Sequence, residues 1–222
     1  MATAKIAMAS DCSNSITGQQ INTDRVFKEL EKSAVTVKAC YTESKEKENC
    51  SSGSGFIVDD YKVITNLHVL KFSNNKLANK ILILAGKRRF WAKLERYDQR
   101  HDLAGIRINP EQEPITNVDK KVTFGNSNLI DGDGFDNYLS ISTPLGMPRT
   151  KSILKLAFKN RLFRSMSDGS KYPRHLHFTG GAIIDGSSGG PVFNCNKELI
   201  GITSSIITRK VSLTETLKTK QG

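Results

Sequence analysis

The sequence predicts an all-β protein with one short helix near its N-terminus. Between residues 34 and 207 the chain breaks into short runs rich in β-branched and aliphatic residues: AVTVKACY, GFIV, KVITNLHVL, KILILAG, RFWAKLERYD, LAGIRI, NYLSIST, SILKLAF, HLHFTG, PVFN and LIGITSSII. Turn-forming residues separate almost all of them. With 222 residues, 37% hydrophobic and 25% charged, the chain is long enough to bury a real core. Only TDRVFKELEKS carries helical spacing, with Thr23 or Asp24 as cap and Val26, Phe27 and Leu30 turned inward. Many short, closely spaced strands indicate a sandwich or a barrel, and the length accommodates two six-stranded barrels of about a hundred residues each.

The elements divide the chain in order. Residues 1 to 22 show no apolar periodicity and read as a flexible arm. Residues 23 to 118 hold the helix and a first barrel, and 119 to 208 a second. NPEQEPITNVDK, 109 to 120, contains two of the six prolines and is the linker between the halves. Residues 209 to 222 form a polar, Lys-rich, basic tail.

MATAKIAMASDC lacks the apolar core of a secretory signal, and no window approaches the ~20 apolar residues of a membrane span. The expectation is a soluble protein with an intracellular home. The four cysteines, Cys12, Cys40, Cys50 and Cys195, are too few for a disulfide scaffold and form no CxxC pair for zinc. Reduced thiols are the default, although Cys40 and Cys50 flank a charged turn, YTESKEKEN, and are placed to bridge across a hairpin if the environment is oxidising.

Lys and Arg number 33 against 22 Asp and Glu, a net charge of +11. Such a surface attracts polyanions, acidic membranes or acidic protein segments. The charges gather at Lys87 to Arg89, along Lys151 to Arg164 and in the tail, a scatter that reads first as a solvated basic face.

Three segments carry chemistry. Acyl transfer by serine needs a base in reach of the hydroxyl, a carboxylate to orient that base, and backbone donors for the oxyanion. His68 closes the strand-like run KVITNLHVL between Leu67 and Val69, which plants the imidazole at the edge of a core. Asp102 directly precedes LAGIRI, so its carboxylate enters a half-buried setting where a charge requires a partner. In GSSGGP, 186 to 191, Gly186 lets the backbone turn two N–H groups toward one point, and Gly189 and Gly190 leave room for a substrate backbone. Taken singly, His68 reads as a core histidine, Asp102 as a turn residue and Ser188 as part of a bland Ser-Gly turn. Their order and contexts together say more.

GSGFIV at 53 to 58, VITNLHVL at 63 to 70, DLAGIRI at 102 to 108 and GSSGGPVFN at 186 to 194 resemble the chymotrypsin-like serine proteases. The likeness is greatest to the HtrA/Deg branch, without its PDZ domains. FGNSNLIDGDGF, STPLGMP, TGGAIIDGSSGGPVFN and ELIGITSS extend it over residues 25 to 207. The resemblance implies two six-stranded β-barrels of the chymotrypsin-like fold with the active site in the cleft between them. It also implies a serine endopeptidase acting on a protein or peptide substrate. His68 would be the base, Asp102 its orienting acid and Ser188 the nucleophile, with the amides of Gly186 and Ser188 as the oxyanion hole. This chemistry calls for no metal or cofactor.

The departures are specific. Ser187 replaces the family's Asn or Asp before the nucleophile, and Asp185 is not an equivalent, so activation through a buried N-terminal ion pair is not expected. By the same likeness Ala182, Ile183, Ser204, Ser205 and Ile206 line the specificity pocket. They offer no acid to receive Arg or Lys, and Ile206 makes the pocket shallow, so cleavage after small or aliphatic residues is expected. Ser204 to Ile206 would pair with substrate as an added strand. Two other classes stay in view: a catalytically silent protease-fold binding or scaffold protein, and a basic nucleic-acid-associated protein whose partner is a polyanion. His175 and His177 read as alternating strand residues rather than metal ligands, and Trp91, beside Phe90 and after Lys87 to Arg89, as a strand aromatic packed on the first barrel ahead of a stacking platform for a nucleic-acid base.

Overall fold

Residues 12–13, 20–44, 47–117, 119–127, 130, 137–144, 149–164, 171–181 and 183–204 are described by a computed structural model. The arm predicted over 1 to 22 and the tail over 209 to 222 fall largely or wholly outside them. Two short strands within the arm, β1 (Cys12–Ser13) and β2 (Gln20–Ile21), pair antiparallel.

Helix α1 (Thr23–Leu30) buries Val26, Phe27 and Leu30, the three residues its spacing selects. Its cap is Asn22, one residue before Thr23 and two before Asp24, the caps read from the sequence. The Asn22 side chain accepts the Arg25 N–H at 3.1 Å, a role asparagine fills as well as aspartate.

Six strands then close into a barrel: β3 (Ala34–Ser44), β4 (Lys47–Asp59), β5 (Lys62–Asn66), β6 (Lys80–Ala85), β7 (Arg88–Asp98) and β8 (Leu103–Ile108), in the order β3-β4-β5-β8-β7-β6. Alternation drives the closure. Val35, Val37, Ile57, Val63, Ile81, Ile83, Phe90, Ile106 and Ile108 point inward, while their strand neighbours face out or toward the other half. The β3–β4 register sets Cys40 directly opposite Cys50, with Cα atoms 4.1 Å apart, and the two form a disulfide. The default of reduced thiols is thereby corrected: strand register brings the sulfurs together, and Cys195 is disulfide-bonded as well. A second correction concerns Trp91. It stands 59% exposed on the outer wall, because Phe90 and Ala92 take the inward positions on β7.

The second half is a six-stranded sheet of β9 (Thr123–Phe124), β10 (Asn137–Ser142), β11 (Thr150–Arg164), β12 (Lys171–Thr179), β13 (Pro191–Phe193) and β14 (Glu198–Ile202), in the order β12-β11-β10-β13-β14-β9. Between the halves, Ile115 of the linker plugs the first barrel's core, and Asp119 receives the Arg149 guanidinium, which also donates to the Ala34 carbonyl at 3.1 Å. The seam is apolar: Val26, Phe27 and Leu30 pack with Ala34 and Phe56 from one side and Leu139, Ile141, Phe193 and Leu199 from the other. This clasp fixes how the facing loops of the two halves meet.

Candidate active site

The run KVITNLHVL is not one strand. β5 ends at Asn66, and Leu67–Leu70 make a single helical turn, α2, that buries Leu67, Val69 and Leu70 and leaves the His68 side chain 47% exposed. The reversal is held by Asp102, whose carbonyl accepts the Leu67 N–H at 3.0 Å and the Asn66 Nδ2 at 2.9 Å. Asp102 itself adopts φ 53°, a left-handed conformation that aspartate tolerates better than most residues. That twist, just before β8, sends its carboxylate back toward α2.

The carboxylate is closely engaged. Oδ1 accepts the His68 backbone N–H at 2.9 Å, and Oδ2 lies 2.6 Å from His68 Nδ1 and accepts the Ser204 hydroxyl at 3.1 Å. A carboxylate only accepts, so Nδ1 carries a proton, and in the neutral ring Nε2 is then the acceptor.

From the other half comes the turn 184–190. Gly189, at φ 87°, has no room for a Cβ, which would lie 2.0 Å from the Ser54 carbonyl oxygen. Ser54, on β4, was not singled out from the sequence, yet it grips the turn at two points. Its N–H donates to the Ser188 carbonyl at 2.7 Å, and its hydroxyl donates to the Gly186 carbonyl at 2.8 Å while accepting the Thr143 N–H at 2.8 Å. Ser187, fully buried, accepts the Ile184 N–H at 3.2 Å and donates to Ser142 Oγ at 3.2 Å. The residue that departs from the family pattern therefore braces the turn from inside.

The amides sort themselves. Ser187 N–H donates to the Ile184 carbonyl, Gly189 to Thr203 and Gly190 to Ser187. Among the described residues, the amides of Gly186 and Ser188 have no protein acceptor. The Ser188 hydroxyl donates to the Ser204 carbonyl at 3.3 Å, so Ser204 touches both Asp102 and Ser188. Ile183 and Ser204 are half-buried beside this turn, whereas Ala182, Ser205 and Ile206 lie outside the described residues. His175 and His177 fall on β12, opposite Arg161 and Phe158.

Residues 53–202, more than half of the chain, match the family model of the trypsin-like peptidase domain. The chain belongs to that family. Its similarity within the family is to HtrA and DegP proteins. It is 31% identical over 166 residues to a probable periplasmic serine endoprotease DegP-like of Chlamydia trachomatis, covering 73% of this chain and 30% of the relative. To the DegP-like endoprotease of Hahella chejuensis it is 33% identical over 170 residues, 76% of this chain and 33% of the relative. To the mitochondrial serine protease HTRA2 of Drosophila willistoni it is 29% identical over 164 residues, 73% and 35%. This trypsin-like domain thus spans about a third of the length of the curated relatives it matches. Among solved structures, the Rv3671c protease of M. tuberculosis in its active form superposes with TM-score 0.67 at 18% identity, covering 83% of this chain and 75% of that one. The HtrA-type protease AlgW with a decapeptide gives 0.66 at 21%, covering 85% and 60%. Both share the fold. No helix among the described residues is long and apolar enough to cross a membrane.

Proposed function

We propose that this chain is a serine endopeptidase in which Ser188 attacks a peptide carbonyl, His68 takes its proton and Asp102 holds the ring. The observation that carries the reading is the paired contact of Asp102 with His68, through Nδ1 at 2.6 Å and through the backbone N–H at 2.9 Å. That pairing fixes both tautomer and orientation, the function of the acid in a triad. The reaction begins when the Ser188 hydroxyl rotates from the Ser204 carbonyl to His68 Nε2. Attack forms the Oγ–C bond as the proton passes to Nε2. Collapse breaks the C–N bond, and the same proton leaves with the amine. Water then repeats the sequence on the acyl-enzyme. The amides of Gly186 and Ser188, left without protein acceptors, are the donors for the oxyanion, each of a kind worth about 3 kcal/mol in related enzymes.

Ile183 and Ser204, half-buried beside the nucleophile turn and without an acidic group, support a preference for small or aliphatic residues before the scissile bond. The Cys40–Cys50 bridge and the periplasmic naming of the DegP-like relatives favour an oxidising compartment over the intracellular home read from the N-terminus.

The second reading, a silent binding or scaffold protein, draws on the Ser188–Ser204 bond, which keeps the hydroxyl off the imidazole. A fluorophosphonate probe separates the two. Labelling of the wild type that vanishes in Ser188→Ala and His68→Ala supports the peptidase. A wild type that stays unlabelled across pH, with and without peptide, overturns it.

A further inference from the structure

Strand β7 alternates Phe90 and Ala92 into the barrel with Arg89, Trp91 and Lys93 on the outer wall. Leu82 of β6 lies opposite Trp91 and Lys38 of β3 opposite Leu82, so Arg89 and Lys93 flank the ring along its strand and Lys38 lies two strands away on the same row. Several cations around this group have acidic partners: Arg88 has Glu113, Lys80 has Glu48, and Arg107 and Lys62 share Glu95. Among the described residues, Lys38, Arg89 and Lys93 have no acidic partner. An indole ring left in water within a ring of unneutralised charge is a pairing that folding does not require.

The backbone under the ring is pinned. β8 ends at Ile108, and from there the Asn109 N–H and Gln112 Nε2 donate to the Trp91 carbonyl at 3.0 and 2.9 Å, while Gln112 Oε1 accepts the Trp91 N–H at 3.1 Å. Trp91 therefore projects from a fixed platform, and a ligand stacking on it orders little of the backbone.

We propose that this wall binds single-stranded nucleic acid, with a base stacked on Trp91 and backbone phosphates on Arg89, Lys93 and Lys38. The flanking cations sit at i±2, about 6.8 Å along the strand from the ring, the arrangement of a stacking platform between phosphate contacts. An acidic peptide answers the charges and leaves the ring without a partner. A bilayer calls for several large, well-exposed apolar side chains together, whereas Leu82 and Leu84 beside Trp91 are partly buried and Tyr97 lies farther along β7, past the irregularity at Leu94–Arg96. In the closed barrel β7, which carries the ring, lies opposite β4, whose Ser54 touches the Ser188 turn, whereas β3, which carries Lys38, is paired with β4. The inference is independent of peptidase activity.

Trp91 is the chain's one tryptophan, so tryptophan emission, excited selectively over the five tyrosines, reports this site alone. The test titrates the full chain with a 20-mer of deoxythymidine and follows both tryptophan quenching and anisotropy of the labelled strand at several salt concentrations. Saturable quenching is expected, with about tenfold weaker binding in Trp91→Ala and near-wild-type binding in Trp91→Phe, which keeps a ring to stack on. In Arg89→Ala and in Lys93→Ala the slope of log affinity against log salt should fall by about 0.7. Ser188→Ala should bind like the wild type. Binding without quenching, or undiminished in Trp91→Ala, overturns the proposal. So does equal quenching by polyglutamate or by anionic phospholipid vesicles that the oligonucleotide fails to displace.

Discussion

The Ser54 hydroxyl donates to the Gly186 carbonyl at 2.8 Å, across the boundary between the two halves. The same oxygen accepts the Thr143 N–H, so one buried hydroxyl ties the peptide after Gly186 to both β4 and the end of β10. In Ser54→Ala the Gly186 peptide loses its tether and the Thr143 N–H loses its acceptor. Peptide turnover is expected to drop at least about tenfold in kcat with little change in KM, since the loss would fall on the proposed oxyanion donors. Urea titration should register about 1–3 kcal/mol of destabilisation from the stranded amide. Steady-state kinetics and the titration together separate the two effects.

Gly189 allows no side chain. An added Cβ meets the Ser54 carbonyl oxygen at 2.0 Å and Thr65 Oγ1 at 2.3 Å, and φ 87° is strained for any L-residue. Gly189→Ala should therefore lose at least about 2 kcal/mol of stability along with the turn's geometry. Chemical denaturation beside circular dichroism checks it.

The Cys40–Cys50 disulfide spans a sequence separation of 10 and closes the β3–β4 hairpin. On a chain-entropy basis its removal should cost about 2–3 kcal/mol. Cys40→Ser/Cys50→Ser, compared with wild type by urea titration without and with reductant, should show that difference only in the oxidised pair.

Arg149 faces Asp119, a carboxyl only 5% exposed, and burial pushes that carboxyl above its ordinary value even though the guanidinium pulls it down. Arg149→Met should destabilise the fold by about 3 kcal/mol near neutral pH, by stranding a buried charge. The loss should shrink in acid. A carboxyl raised in the folded state binds more protons folded than unfolded, so stability falls as pH rises between the two values and recovers as pH drops below the folded one. Denaturant titrations of both proteins from weakly acid to neutral pH check the sign.

Much of the site was legible because its chemistry is carried by short motifs. His68, Asp102 and Ser188 each stand in a local context, and the structure brings His68 and Asp102 within 2.6 Å. Ser54 was passed over inside GSGFIV because its partner Gly186 lies 132 residues away, and local pattern carries no signal for such a contact. Trp91 is exposed where packing on the first barrel is expected, because the alternation of β7 gives the inward positions to Phe90 and Ala92. The charged residues at 89 and 93 already placed it on the outer wall.

The sequence by itself determined the strand-rich class, the N-terminal helix with Val26, Phe27 and Leu30 turned inward, and the order of the candidate catalytic groups, since these follow from periodic patterning and residue chemistry. Tertiary structure decided the Cys40–Cys50 bridge, the left-handed turn at Asp102 that aims its carboxylate, and the Ser54 and Ser204 contacts that join the two halves. Those depend on strand register and on which loops a closed barrel brings face to face. Both are properties of the packed chain, set only when distant segments bury their apolar faces together.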